Sequence, residues 1–363
     1  MEDCSSKGPP KPHTHAVPSY QPLRSLQTYL PEEGVVVPLL LYSDQTKVNA
    51  FGSLSFYPVY ATIGNIPAKE RKKDEAYVLV GYLPQLSGTD SQKAEWKKTA
   101  LKSRLLHHCL RVLFETLPGA GKGGVNVRSQ NGKLVSLFPL FAYYSSDWPE
   151  AKKVTGTRDT KNTALPCHAC AVPKQHLANL KPASRRYAVR MAKDMEATIT
   201  EAKQLLQTKG KITEGRELLA SKSLNLYENA FWALPASNIG LQMAPDILHQ
   251  YFLGMVKALL EALLEHLTEN QSDIDRLDEI FKKFPRLPDL PSFRNGVSCL
   301  STVTGREMRS LLFHLPYALH LMNLEEKNIE KLSLEMLRWY ELIAKPSFTV
   351  RAVTPFSLFH LTP

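Results

Sequence analysis

Two aspartates and one pair of cysteines are the residues of this 363-residue sequence whose surroundings point to chemistry. Asp147 ends the apolar, aromatic run LFPLFAYYSS, and Asp44 ends the run VVVPLLLYS. A carboxylate at the exit of a buried strand is costly to desolvate unless it has a partner or a metal. Folded side by side, the two could hold one or two Mg2+ (or Mn2+) ions, which take carboxylates together with waters and phosphate oxygens. Either could instead be a turn or cap aspartate. Twenty residues after Asp147 comes Cys167-His168-Ala169-Cys170, in which two thiolates can grip one Zn2+.

Both sites need completing. A third acid is required, and Glu307, in the first turn of the helix predicted from TVTGREMRSLL, is the choice. The same run, Thr304-Gly305-Arg306-Glu307, also matches a capping box, in which the glutamate bonds back to the N-cap amide. The cysteine pair is half a zinc site, and histidine should supply the rest. His249, in PDILHQ, is the first choice, with Asp246, His168 or His176 for the fourth place. Asp246 lies one helical turn before His249 and could ligate it, orient it, or cap the helix. A redox role for the cysteine pair is disfavoured, because no strand leads directly into a helix there.

The elements that must position these residues follow from pattern. Residues 35–42, 53–64 and 76–83 are rich in β-branched and aromatic residues and read as strands. Residues 93–117 carry apolar positions at helical spacing, ended by Pro118-Gly119. Residues 125–128 and 134–144 read as a hairpin around Asn131-Gly132. After the cysteines the texture is helical, over 184–206, 214–224 and 241–267, then 304–323 and 328–344. Residues 268–303 read as loop. The expected order is a peripheral segment (1–34), the first part of an α/β core (35–150), a zinc-binding helical insertion (151–300), a core helix with the third acid and a following helix (301–345), and an irregular tail (346–363).

The chain carries 45 basic and 35 acidic residues, a net charge of +10, which favours a polyanionic partner, nucleic acid first. Three basic groups lie near the acids and in the insertion: Arg71, Lys72 and Lys73; Lys152, Lys153 and Arg158; Arg185, Arg186 and Arg190. Each could touch a phosphate backbone or be a solvated surface. Five cysteines with one tight pair form no disulfide framework and point to a reducing compartment. The start, MEDCSSKGPP, has no apolar core and is not a secretory signal. No unbroken apolar run of about 18 residues exists, so no membrane span is expected.

Taken together and in order, PLLLYSDQT, YPVYATIGNIPAKERKK with VLVGYLP, FAYYSSDWPE, LPCHACAVP, APDILHQYFLG and TGREMRSLL resemble the Plavaka-type transposases of fungi. These are similar to the CACTA-like cut-and-paste DNA transposases and, more distantly, to the Transib and RAG recombinases. The resemblance implies an RNase H-like mixed sheet with a DDE/D triad, interrupted by a zinc-bearing helical insertion. By position it makes Asp44 the first acid, Asp147 the second and Glu307 the third, and it puts His249 in the group's Asp-x-x-His motif. Where CACTA-like proteins carry a nearby glutamate, this chain has Tyr251. The implied partners are double-stranded transposon-end and target DNA, in the nucleus, with a homo-oligomer as the usual assembly. Complete members of the group carry extra sequence before the first strand and after the third acid, so the resemblance also implies a truncated copy.

Overall fold

The computed structural model describes residues 30–31, 34–47, 55–84, 95–158, 163–177, 187–268, 270–298, 303–324 and 327–344. Arg185, Arg186, Cys4, Cys299, the tail 346–363 and nearly all of the peripheral segment 1–34 lie outside them. It is a mixed α/β structure with a mixed sheet and about ten helices. Contacts divide it into two compact units, one ending at Ala244 and one within Pro245–Lys345.

In the first unit, β1 (Gly34–Ser43) is the middle strand. Short β2 (Thr46–Lys47) and β3 (Ser55–Phe56) pair with each other. β4 (Pro58–Ile63) and β5 (Val78–Tyr82) continue from β1 as an antiparallel meander. Helices α1 (Glu95–Leu113) and α2 (Leu117–Gly123) then carry the chain to the hairpin of β6 (Val125–Arg128) and β7 (Leu134–Ser146). The sheet order is β5-β4-β1-β7-β6, and β7 runs parallel to β1. With a neighbour on either side, β1 reads as a nearly continuous apolar run. Its Pro38 sits at the end of the β4 ladder, where its carbonyl still accepts from Gly64 N–H at 2.7 Å and only the bond of the N–H that proline lacks goes unmade. The parallel register shifts once: Leu39 faces Phe141 but Leu40 faces Tyr143, leaving Ala142 as an extra residue in β7.

One face of the sheet is covered by α1, whose Leu106 and Leu110 recur at helical spacing with Phe114 just past its end. Phe231, fully buried, packs against Phe114, Phe141 and Tyr144 with ring centroids 5.3, 4.7 and 5.8 Å away. After β7 come α3 (Trp148–Thr155) and the cysteine loop. An antiparallel pair of helices follows, α4 (Ala192–Gln207) and α5 (Ile212–Ser221), with its own core of Met195, Ile199, Ala202, Leu219 and Leu224. The first of these helices starts later than the pattern suggested, at Ala192, and the second two residues earlier, at Ile212. Short α6 (Ile239–Gln242) leads into β8 (Met243–Pro245), which pairs with β7.

The second unit is helical. A π-helix, Ile247–Val256, runs into α7 (Lys257–Leu267), followed by α8 (Gln271–Lys283), α9 (Gly305–Met322) and α10 (Lys327–Ile343). One expectation changes here. The segment read as loop contains α8, capped by Asn270 and held by buried Leu277 and Phe281. Among the described residues one helix, Ile247–Leu267, is long and apolar enough to cross a membrane by length and composition. Its apolar side, including Tyr251, Phe252, Val256, Leu260 and Leu263, packs in the core of this unit with Met308, Leu311 and Leu315 of α9.

Candidate functional site

β1 and β7 lie side by side and point the same way, and each is followed at once by an aspartate. Tyr42 pairs directly with Ser145, and Asp44 and Asp147 lie two residues beyond that pair on their own strands. The two therefore follow equivalent positions of neighbouring strands, which lie about 4.8 Å apart. The residues just before them, Ser43 and Ser146, are buried, whereas both aspartates are half-buried. Asp147 also caps α3: its Oδ1 accepts from Glu150 N–H at 2.8 Å. Its other oxygen has no partner among the described residues.

Sequence reasoning missed Glu150. Three residues after Asp147 it reads as the distal member of a capping box, yet its side chain turns beneath the strand ends and is 6% exposed. Its Oε1 accepts from Ser43 Oγ at 3.2 Å and from the Tyr57 hydroxyl, and its Oε2 pairs with Lys153 at 3.3 Å. Tyr144 in turn donates to Ser43 Oγ at 2.8 Å. Burial, with Glu150 alongside, pushes both tyrosine hydroxyls above their ordinary range, so they remain donors.

The far end of α3 is fastened by side chains. Gly156, at φ 81°, ends the helix in the left-handed region. Tyr227 Oη donates to the Lys153 carbonyl at 2.9 Å and Asn229 Nδ2 to that of Val154 at 2.8 Å. His107, fully buried, accepts from Ala230 N–H at Nδ1, so its Nε2 carries the proton donated to Lys153 O, both at 3.1 Å. Burial pushes its pKa down to about 4. A histidine whose folded pKa is depressed stabilises the fold fully above its unfolded value of about 6.5, and that stability drains away as pH falls toward 4. Urea unfolding should therefore show about 2 kcal/mol lost by about pH 5 through this residue, and His107→Gln should flatten that slope.

The cysteine loop is pinned to the same helix. Lys152, 2% exposed, donates to the carbonyl of Pro166 and lies 5.2 Å over the Trp148 ring, which meets His168 edge-on at 5.1 Å. The half-buried thiols of Cys167 and Cys170 are free, and Ala169 N–H donates to Cys167 Sγ at 3.3 Å. Burial raises the Cys170 thiol, while the Val172 N–H pulls it down. Arg190, 7% exposed, closes the loop with bonds to the carbonyls of Cys167 (2.9 Å), Leu165 (3.0 Å) and Lys222 (2.7 Å). Of the other ring candidates, His168 is pushed down to about 4 by burial and its Nδ1 is buried without a hydrogen bond. His176 Nδ1 is met by the Tyr187 hydroxyl at 2.9 Å.

In the second unit, Asp246 caps the π-helix through Leu248 N–H at 3.0 Å and also holds the exposed His249 ring at Nδ1. Glu307 makes the capping box: Thr304 N–H and Oγ1 donate to its Oε2 at 2.7 and 2.8 Å.

The basic residues divide. Lys73 is exposed, paired to Glu70 at 2.5 Å, and Lys153 is half exposed beside Glu150. Arg71 is half-buried, and the Lys72 side chain lies outside the described residues. Lys152 and Arg190 correct the expectation of surface contacts, because both spend their donors on main-chain carbonyls inside the protein. Half-buried Arg158 does so in part, through Nε to Leu224 O at 2.8 Å.

Among the described residues no three of His, Cys, Asp and Glu are gathered as a metal ligand set. What the first unit offers is two pairs, Asp44 with Asp147 and Cys167 with Cys170. Two carboxylates suffice for Mg2+ completed by water and phosphate oxygens. Two thiolates are half a zinc site.

None of the curated proteins compared with the chain matches it. Residues 19–262 match the family described as Plavaka transposase. That stretch holds the whole sheet, both aspartates, the cysteine loop and His249, and it covers well over half of the sequence. The chain belongs to the Plavaka transposase family.

Proposed function

We propose that this chain is the strand-breaking core of a DDE/D-type DNA transposase, with Asp44 and Asp147 as the paired ligands of a divalent cation. One observation carries the reading: two aspartates directly follow the ends of adjacent parallel strands whose last pair is Tyr42 with Ser145. A mixed sheet that does this is what an RNase H-like core requires. Mg2+ or Mn2+ bound there would turn a water or a DNA 3′-hydroxyl into the attacking group and neutralise charge on the phosphodiester. The protein's share is to hold the two carboxylates at fixed separation, Asp147 by its cap on α3 and Asp44 by its place after buried Ser43. Cys167 and Cys170 would supply two of the ligands of a structural Zn2+. The substrate is double-stranded transposon-end and target DNA, met in the nucleus by a homo-oligomer. Lys73 and Lys153, with Arg71, Lys72, Arg185 and Arg186, supply sequence-independent backbone contacts that weaken with salt.

A second reading, a DNA-binding module without catalysis, is favoured by the capping bonds that occupy Glu307. Incubation with supercoiled plasmid separates the two. The first expects nicking that needs Mg2+ or Mn2+ and vanishes in Asp44→Asn, whereas DNA retardation on a gel with no nicking under either metal supports the second.

A further inference from the structure

We propose that Glu150 is a positioning residue for the cation site, tying the exits of β1 and β7 to one buried carboxylate and so fixing the separation of Asp44 and Asp147. The inference rests on reading those aspartates as cation ligands. On the β1 side, Ser43, the residue before Asp44, donates to Glu150 Oε1 at 3.2 Å. On the β7 side, Glu150's own N–H donates to Asp147 Oδ1 at 2.8 Å, and Tyr144 reaches Ser43 at 2.8 Å. Tyr57, just before β4, donates to the same Oε1, and Lys153 balances Oε2 at 3.3 Å.

The set is directional. Tyr144 gives its proton to Ser43, which gives its own to Glu150, so a shift of either strand end is felt at the carboxylate. A buried carboxylate is a poor choice for packing alone, since an apolar side chain of like volume commonly stabilises as well or better. Its carboxylate partners come from β1, from the residue leading into β4 and from α3, and β7 joins through the Tyr144 bond to Ser43. Glu150 touches no substrate position itself; it acts through Ser43 and Asp147.

The test is Mn2+ binding by the full chain, followed by electron paramagnetic resonance of the free ion, beside plasmid nicking. Glu150→Gln keeps the shape and loses the charge. It should weaken Mn2+ binding about tenfold, the scale on which supporting partners of metal ligands act. Nicking should fall at limiting Mn2+ and recover at saturating Mn2+, which general loss of folding would not give. Tyr57→Phe removes one donor and no charge, and should weaken binding about threefold, as loss of one hydrogen bond would. It keeps the idea testable if the glutamine variant does not fold. If binding is lost in Asp147→Asn but unchanged in Glu150→Gln and Tyr57→Phe, the positioning role is overturned and the proposed function stands. If the wild type binds no Mn2+, or binds it regardless of Asp147, both are overturned.

Discussion

Asp147→Asn is expected to fold like the wild type and to lose metal-dependent nicking. One duty of this residue is its helix cap, and the second is the cation-ligand role proposed above. As N-cap it accepts the Glu150 N–H at 2.8 Å, and asparagine caps a helix as well as aspartate does. The stability change should stay within about 1 kcal/mol, the worth of a negative charge at a helix N-terminus. As a cation ligand, however, the amide has lost the charge that holds the ion. Nicking should drop by more than about 100-fold, the upper end of what losing a mere supporting partner costs a metal site. Asp147→Ala is the useful contrast, since it should cost about 1 kcal/mol more through the lost cap. Melting curves and plasmid nicking on the three proteins read the two duties apart. Wild-type nicking by the asparagine variant would remove Asp147 from the chemistry.

The second large effect concerns Arg190. Its guanidinium satisfies three main-chain carbonyls, those of Leu165, Cys167 and Lys222, from a site 7% exposed. Alanine there leaves three acceptors without their charged donor and a void where the side chain was. About 3–5 kcal/mol should be lost, read as a lower urea midpoint. Lysine should not rescue it, because a single ammonium cannot reproduce the planar fork. Since one of the bonds ends on Cys167 O, the cysteine loop should loosen first, and thiol reagents should modify Cys167 and Cys170 faster in Arg190→Ala. Unchanged labelling together with an unchanged urea midpoint would show that the loop holds itself.

What the sequence made legible was what local pattern controls. The strand ends were readable because apolar runs stop abruptly at Asp44 and Asp147, and the β6–β7 hairpin because Asn131-Gly132 marks its turn. Parallel pairing of β1 with β7 was expected only in outline. Glu150 was not legible, because the partners that pull it inward, Ser43 and Tyr57, lie on strands remote in sequence. Lys152 and Arg190 read as surface charge, yet a long side chain can bury its stem when main-chain acceptors wait at its end. Helix α8 was hidden by its own charge: SDIDRLDE looks like loop until Leu277 and Phe281 are seen to recur on one face.

The single extra residue in β7, Ala142, deserves a last consequence. It is 1% exposed and offers no chemistry of its own. Yet ahead of it the two strands are matched one step differently than behind it. Remove that step and Asp44 would come level with Ser146, while Asp147 would emerge toward the opposite side. By standing out of the ladder, this buried position lets the two strands run level again beyond it, so the chain leaves both at matched positions.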